Sequence, residues 1–229
     1  MSSSRTMLAC TFGMTCLSLL LIHPASAQST EAEPSVEAQI ELFSNWMEGQ
    51  IEIRNLPGIV VGVISGDDLV WAKGFGHADV ESERAMETTT RFRMASHSKL
   101  FTATAIMQLR EQGKIRLDDP VTDYLPWFTY KMAAPDDPPI TIEHLLTHSS
   151  GLPREASSHW TDFDFPTEEE VRELIGNREA PFSPEVRWKY SNLAYTIAGL
   201  LIEEVTGVSW ARYLQQNIFD PLNMTASSV

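Results

Sequence analysis

Two apolar runs, IVVGVIS at residues 59–65 and LVWAKGFGHAD at 69–79, separated by a Gly66-Asp67-Asp68 turn, set the tightest limit on what this chain can fold into. The first is rich in β-branched residues, as a buried strand is. The Gly-Asp turn lets the second fold back on it as a β-hairpin at the start of an antiparallel sheet. A lone hairpin is marginal in water and leaves unpaired edges and an uncovered apolar face, so the rest of the chain must cover it. Residues 36–53 offer one cover. Ile40, Phe43, Met47 and Ile51 recur every three or four positions, with Leu42 and Trp46 beside them, and predict an amphipathic helix closed by Leu56-Pro57-Gly58 and packed on the sheet. Trp71 and Phe75 are then sheet packing, and Lys73 and His77 solvated or strand-end groups.

The second half reads as helices and connections. Within residues 92–109, Leu100, Phe101, Ala103, Ala105, Ile106 and Leu109 recur at helical spacing after Ser96. Ser96 therefore lies at a helix start, and Lys99, three positions on, shares its face. A serine hydroxyl is a poor nucleophile at neutral pH, and an amine held in a desolvated pocket can serve as its base. Taken alone, Ser-x-x-Lys also describes a helix whose polar face happens to carry these two residues.

Gly113 ends this helix, and the acidic, proline-bounded LDDPVTDYLP at 117–126 follows. Asp118, Asp119 and Asp123 lack the Gly and distal Glu of a calcium loop, so turn and cap roles are expected of them. His144 and His148 stand four apart, on one face of any helix, which is a zinc-helix spacing. Glu143, however, precedes the first His instead of following it, and no third ligand is evident. The alternative is a short helix, its polar residues satisfied locally, before a Ser150-Gly151-Leu152-Pro153 turn. Thr167 with Glu170 forms a capping-box pattern opening a helix that ends near Gly176. Leu193, Ile197, Leu200, Leu201 and Val205 mark a strongly apolar helix ending at Gly207, and Ser209 caps a last one through Trp210, Tyr213 and Leu214.

Composition removes several classes of function. Lys and Arg number 17 against 31 Asp and Glu, a formal net charge of −14, and no basic run is present to follow a phosphate backbone, so nucleic acid is not an expected partner. Arg5, the apolar stretch 7–22, Pro24 and Ala25-Ser26-Ala27 read as a secretory signal cleaved after Ala27, with 28–35 a flexible polar leader. A span would need ~20 apolar residues, so no stable membrane anchor is expected after cleavage, and the product is secreted or periplasmic. Cys10 and Cys16 both fall inside the signal, which leaves the mature chain neither a disulfide framework nor a cysteine nucleophile.

Tyr190-Ser191-Asn192 follows Ser96 by 94 positions, at a loop-to-helix junction where Ser191 or Asn192 is also a good N-cap. Three blocks in this order, FRMASHSK, ITIEHLLTHSSGLP and RWKYSN with the NLAYTIAGLLIEEVTG helix, resemble the serine β-lactamase-related family, in particular its class C β-lactamase, D-alanyl-D-alanine peptidase and esterase branch. The resemblance spans most of residues 56–225. It implies an α+β, two-lobe fold in which an antiparallel sheet flanked by helices faces an all-helical lobe. On this division residues 36–95 begin the sheet lobe, and 96–229 hold the Ser-x-x-Lys helix and the helical lobe.

By the same resemblance Ser96 is the nucleophile, Lys99 and Tyr190 share the work of the base, Asn192 orients the substrate amide, and the Ser96 backbone N–H is half of an oxyanion hole. The implied activity is that of a secreted serine hydrolase forming an acyl-enzyme on small ester, amide, lactam or peptide substrates, with no cofactor and no metal. Two departures from the family pattern stand out. Glu185 occupies a position after proline where relatives commonly carry glycine. The family's third motif, Lys or His, then Ser or Thr, then Gly, does not occur before Val229. The expectation is therefore an incomplete domain over 36–229, without the later strands of the sheet. Its rival readings are a truncated, non-catalytic relative that binds a peptide or penicillin-like ligand and, more distantly, a zinc hydrolase built on His144 and His148. Neither the choice of substrate nor the oligomeric state is set by these residues.

Overall fold

The structure, a computed structural model, describes residues 34–156, 164–176 and 179–229. The expected signal and most of the leader lie outside the described residues. The chain divides between Thr90 and Arg91 into two compact units.

In the first unit, α1 (Val36–Arg54) starts where Ser35 accepts a hydrogen bond from the Ala38 N–H at 3.3 Å, and ends at Asn55, whose backbone is left-handed at φ 50°. Strands β1 (Gly58–Ser65) and β2 (Asp68–Asp79) pair antiparallel from Gly58 opposite Gly76 to Ser65 opposite Asp68, with a register shift between Val63 and Ile64. A short β3 (Arg84–Ala85) adds to the other side of β2, giving the order β1-β2-β3. The helix lies against β2. Phe43 meets Trp71 edge-on with ring centroids 5.9 Å apart, Met47 and Phe75 are buried, and Lys73 reaches Glu48 at 3.2 Å. This is the helix-covered hairpin expected of residues 36–79, with Trp71 and Phe75 as packing residues.

The second unit is helical. It comprises α2 (Ser98–Glu111), preceded by a 3-10 turn at Ala95–His97, then α3 (Ile142–Leu146), α4 (Glu168–Gly176), α5 (Asn192–Thr206) and α6 (Trp210–Leu214), which runs on into a π-helical turn at Gln215–Phe219. Its core is organised around α5. Leu193, Ala194, Ile197, Ala198, Leu201 and Ile202 are buried, a stripe wide enough to meet α2, α3 and α6 at once. Ile106, Leu109, Leu145, Ile175 and Leu214 close on it from the other helices. Burying a side chain of this size stabilises a fold by about 1.5–3 kcal/mol, so this cluster holds the unit together. Among the described residues no helix is long and apolar enough to cross a membrane.

Three local outcomes differ from a reading by periodicity. On α2, Leu100 is exposed and Thr102 takes the buried position instead, its hydroxyl accepting from Trp210 Nε1 at 3.1 Å and donating to the Ser98 carbonyl at 3.5 Å. A polar group is tolerated there because both of its hydrogen-bonding roles are filled. Secondly, α3 stops at Leu146, and His148 lies beyond it at φ 59°, so His144 and His148 do not share a helix face. His144 instead closes a capping box with Thr141, its Nδ1 accepting the Thr141 N–H at 3.2 Å while Thr141 Oγ1 accepts the His144 N–H at 3.3 Å. Its Nε2 lies 3.2 Å from Glu185. The third is Glu185 itself, left-handed at φ 63°, a conformation costing a side-chain-bearing residue roughly 1–2 kcal/mol and glycine almost nothing. That is the physical reason glycine suits this position.

The acidic segment after α2 is built of turns, as its composition suggested. Asp119 accepts from the Arg116 N–H at 2.8 Å and from the Tyr124 hydroxyl at 2.5 Å, and Asp118 pairs with the Arg116 guanidinium at 2.7 Å. Burial first and the Asp119 carboxylate second push the Tyr124 phenol up to about 12.

The loop 148–151 is clamped to 182–189: the Glu185 N–H donates to the Ser149 carbonyl at 2.8 Å, and the Lys189 N–H donates to the His148 carbonyl at 2.9 Å. Gly151, at φ 76°, touches the opposite strand of this clamp so closely that a Cβ there would lie 1.9 Å from the Phe182 carbonyl oxygen. Gly151→Ala is therefore expected to destabilise the second unit by about 1–3 kcal/mol or more, read from the urea unfolding midpoint. A change within about 0.5 kcal/mol, the range of ordinary surface substitutions, would contradict this packing.

Candidate functional site

The site is assembled at the N-terminus of α5. Ser191 is the N-cap, and its fully buried hydroxyl accepts the Ala194 N–H at 3.0 Å while donating to the Pro153 carbonyl at 2.7 Å. The Arg154 carbonyl accepts from the Asn192 and Leu193 N–H groups at 2.8 and 3.2 Å. These bonds satisfy amides that a helix start leaves open, and they fix the Leu152-Pro153-Arg154-Glu155 segment against the helix. Tyr190 and Asn192, on either side of the cap, are thereby aimed at the start of α2.

There they meet Ser96 and Lys99. Ser96 Oγ and Tyr190 Oη are 2.6 Å apart, and Lys99 Nζ lies 3.5 Å from Ser96 Oγ and 2.6 Å from Asn192 Oδ1. Lys99 Nζ also stands 4.9 Å from the centre of the Tyr190 ring, and the Arg154 guanidinium 5.4 Å from it. All four residues singled out from the sequence thus come together. Ser96 is exposed, whereas Lys99, Tyr190 and Asn192 are half-buried, so the hydroxyl faces solvent while its partners are held from behind. Beside Lys99 and Asn192 opens a cavity of about 380 Å³ between α2 and α5, lined by Thr102, Tyr195, Thr196 and Trp210 among others.

The electrostatics favour an anionic phenol. Burial pushes the Tyr190 pKa up, but hydrogen bonds from Lys99 and Ser96 and the charges of Lys99 and Arg154 outweigh it, and the phenol lies below its ordinary value. The phenolate so placed can take the Ser96 proton across a 2.6 Å contact.

Sequence reasoning missed three residues of this site. His148, weighed as a metal ligand against a locally satisfied polar residue, packs on Tyr190 at a tilt of 37° with ring centroids 4.5 Å apart, and its Nδ1 accepts the Ser191 N–H at 3.1 Å. That bond requires an unprotonated Nδ1, and burial followed by the Lys99 charge lowers the imidazole pKa accordingly. The other two are Arg154, over the Tyr190 ring, and Glu155, whose Oε1 accepts from Asn192 Nδ2 at 2.6 Å. A signal was present for His148, which lies in the HLLTHSSGLP block, and Arg154 and Glu155 follow directly after it, since a block that accompanies two candidate catalytic motifs is expected to bring its polar residues to the same place. Among the described residues no group of three or more His, Cys, Asp or Glu is arranged to hold a metal ion. His144 and His148 in particular are committed to different partners, Thr141 and Ser191.

Asn192 uses both ends of its amide inside the protein, Oδ1 on Lys99 and Nδ2 on Glu155. Any contact to a substrate then falls to the second Nδ2 hydrogen or the second lone pair of Oδ1.

Comparison with known proteins bears on the family and the fold. A family profile described as Beta-lactamase matches residues 43–229. Penicillin-binding protein 4* of Bacillus subtilis (strain 168) is 32% identical over 169 residues, covering 72% of this chain and 36% of the relative. Protein flp of Staphylococcus aureus (strain N315) is 29% identical over 184 residues, covering 80% of this chain and 36% of the relative. The chain therefore spans about a third of the length of the curated relatives it matches. Among solved structures, EstCE1, described as a hydrolase with promiscuous acyltransferase activity, superposes with a TM-score of 0.72 at 28% identity, over 82% of this chain and 53% of that one. The octameric penicillin-binding protein homologue from Pyrococcus abyssi gives 0.71 at 33% identity, over 81% and 43%. With the matched profile covering most of its length and the α+β architecture shared with these structures, the chain belongs to the Beta-lactamase family.

Proposed function

We propose that this chain carries the nucleophilic centre of an exported serine hydrolase that acts on small esters, amides, lactams or peptides through an acyl-enzyme on Ser96. The observation that carries the reading is the 2.6 Å contact between Ser96 Oγ and Tyr190 Oη, made by residues 94 positions apart and backed by Lys99. In the first step Ser96 Oγ attacks the substrate carbonyl carbon as its proton passes to Tyr190 Oη. The tetrahedral oxyanion collapses, the bond to the leaving oxygen or nitrogen breaks, and the proton moves from Tyr190 to that leaving atom. Water then attacks the ester on Ser96 by the same route, releasing the acid and restoring the hydroxyl. Lys99 stabilises the phenolate that makes Tyr190 a base, and the carbonyl oxygen is expected to draw on the Ser96 backbone N–H. The names of similar proteins, which include a hydrolase and penicillin-binding proteins, are consistent with an acyl-transfer centre. Export rests on Arg5, the apolar stretch 7–22 and Ala25-Ser26-Ala27, and predicts a mature chain beginning at Gln28.

Intact-mass analysis after a fluorophosphonate probe and, separately, a penicillin tests the central claim. One adduct is expected on Ser96, absent from Ser96→Ala. Labelling by neither reagent would remove the catalytic reading, and a stable penicillin adduct with no ester turnover would mark a protein that binds and does not hydrolyse.

The pH dependence follows from the lowered Tyr190 pKa. Because the phenolate is the active form, the rate of Ser96 acylation should rise with pH to a midpoint below the ordinary phenol value of about 10. Lys99 favours the anion, so Lys99→Met should move that midpoint upward, and Tyr190→Phe should lower the rate by roughly 10²–10⁴-fold. A midpoint unmoved in Lys99→Met would show that another group serves as the base.

A further inference from the structure

Asn192 sits between a group that can only donate and a group that can only accept. The Lys99 ammonium offers hydrogens and no lone pair, so the amide oxygen must face it, as it does at 2.6 Å. The Glu155 carboxylate offers lone pairs and no hydrogen, so the amide nitrogen must face it, also at 2.6 Å. An asparagine amide can otherwise turn by half a rotation about its last bond at little cost, which would present its NH2 to Lys99 and replace attraction by repulsion. Two opposed partners remove that freedom.

Glu155 is itself held. Its backbone follows Arg154, whose carbonyl accepts the first two N–H groups of α5, and its Oε1 also lies 3.3 Å from Arg154 Nε. Its side chain is only 18% exposed, so the bond to Asn192 is shielded from competing water. A charge-assisted bond of this kind is about twice as strong as a neutral one.

Resting on the proposed acyl-transfer reading, we infer that Glu155 is a positioning residue for that chemistry, locking the Asn192 amide so that its oxygen holds Lys99 beside Ser96 and Tyr190. The route proposed runs from Glu155 through Asn192 to Lys99, and is separate from the contact that the carboxylate makes with Arg154 Nε. Without Glu155 the Asn192 amide is held from the Lys99 side alone, the 2.6 Å anchor loosens, and the cation that favours the Tyr190 phenolate is less firmly placed.

Two measurements on the full chain test this. In NMR spectra, the Asn192 side-chain amide, identified by its loss in Asn192→Ala, should show one proton shifted downfield by the carboxylate acceptor. In Glu155→Ala that proton should move upfield. This readout needs no activity and decides the clamp even if Ser96 is never labelled, an outcome that would overturn the acyl-transfer reading instead. The second measurement is the rate of Ser96 labelling at saturating probe. Glu155→Ala should slow it by on the order of 10²-fold, the scale of a misplaced catalytic group, with little change in the probe concentration giving half-maximal rate.

Glu155→Gln, which keeps an accepting oxygen, should recover most of the loss. With Arg154→Ala present throughout, adding Glu155→Ala to Asn192→Ala should change the rate by less than about twofold, because the route to Lys99 through Asn192 has gone. A wild-type Asn192 amide with no downfield proton, or a Glu155→Ala loss that is equally large without Asn192, would overturn the inference. Thermal midpoints of the variants separate these results from unfolding: the double-variant comparison holds for any pair whose midpoints match.

Discussion

The capped N-terminus of α5 is the interaction on which the second unit depends. A helix start leaves N–H groups without partners, and here they are taken up by the Ser191 hydroxyl and the Arg154 carbonyl. The same Ser191 hydroxyl donates to the Pro153 carbonyl, so one buried side chain ties the helix that anchors the core to the loop that carries Arg154 and Glu155. The Ser191 N–H, just outside the helix, is held by His148. Packing and chemistry are therefore joined at a single turn of backbone: the stripe from Leu193 to Ile202 fixes where α5 lies, and its cap fixes what stands in front of Ser96.

The charges at this turn work against one another in an ordered way. Burial alone would make Tyr190 a weaker acid, and His148 packed on its ring adds apolar cover. Hydrogen bonds from Lys99 and Ser96, with the charges of Lys99 and Arg154 added, favour the phenolate by more than desolvation disfavours it. His148 feels the opposite consequence. Burial first and the Lys99 charge second lower the imidazole pKa, which favours the neutral ring that accepts the Ser191 N–H. Glu155 gives Lys99 and Arg154 a nearby negative charge without contacting Tyr190 in place of them.

The left-handed residues at His148, Gly151 and Glu185 show how the loops reach this arrangement. Loop 148–151 must turn sharply to bring His148 under Ser191 and then run against 182–189, and only a backbone in this region makes the turn in so few residues. Glycine meets the demand freely at 151, where there is no room for a Cβ. Glu185 meets it at a cost, and its contact with His144 offsets part of that cost.

Much of the fold was legible because its signals are local. The hairpin of 59–79, the helix of 36–53, the caps at Ser191, Ser209 and Thr167 and the stop at Gly207 each depend on neighbours within a few residues. Ser96 with Lys99, and Tyr190 with Asn192, were legible as short motifs whose joint occurrence pointed to one site. Only the tertiary structure decided the rest, because each remaining feature rests on a partner distant in sequence. His148 acts on a backbone N–H 43 positions away, Glu155 on an amide 37 away, and Thr102 is buried because Trp210, 108 positions on, supplies its hydrogen bond. Local periodicity carries no information about such pairings, so it grouped Leu100 with the apolar residues of its helix and set His148 on the face of His144. The sequence by itself determined most of the segments that become helix or strand and which residues are candidates for the chemistry. Their orientation was decided by packing around α5, where distant polar groups had to be satisfied together in a space that admits one arrangement.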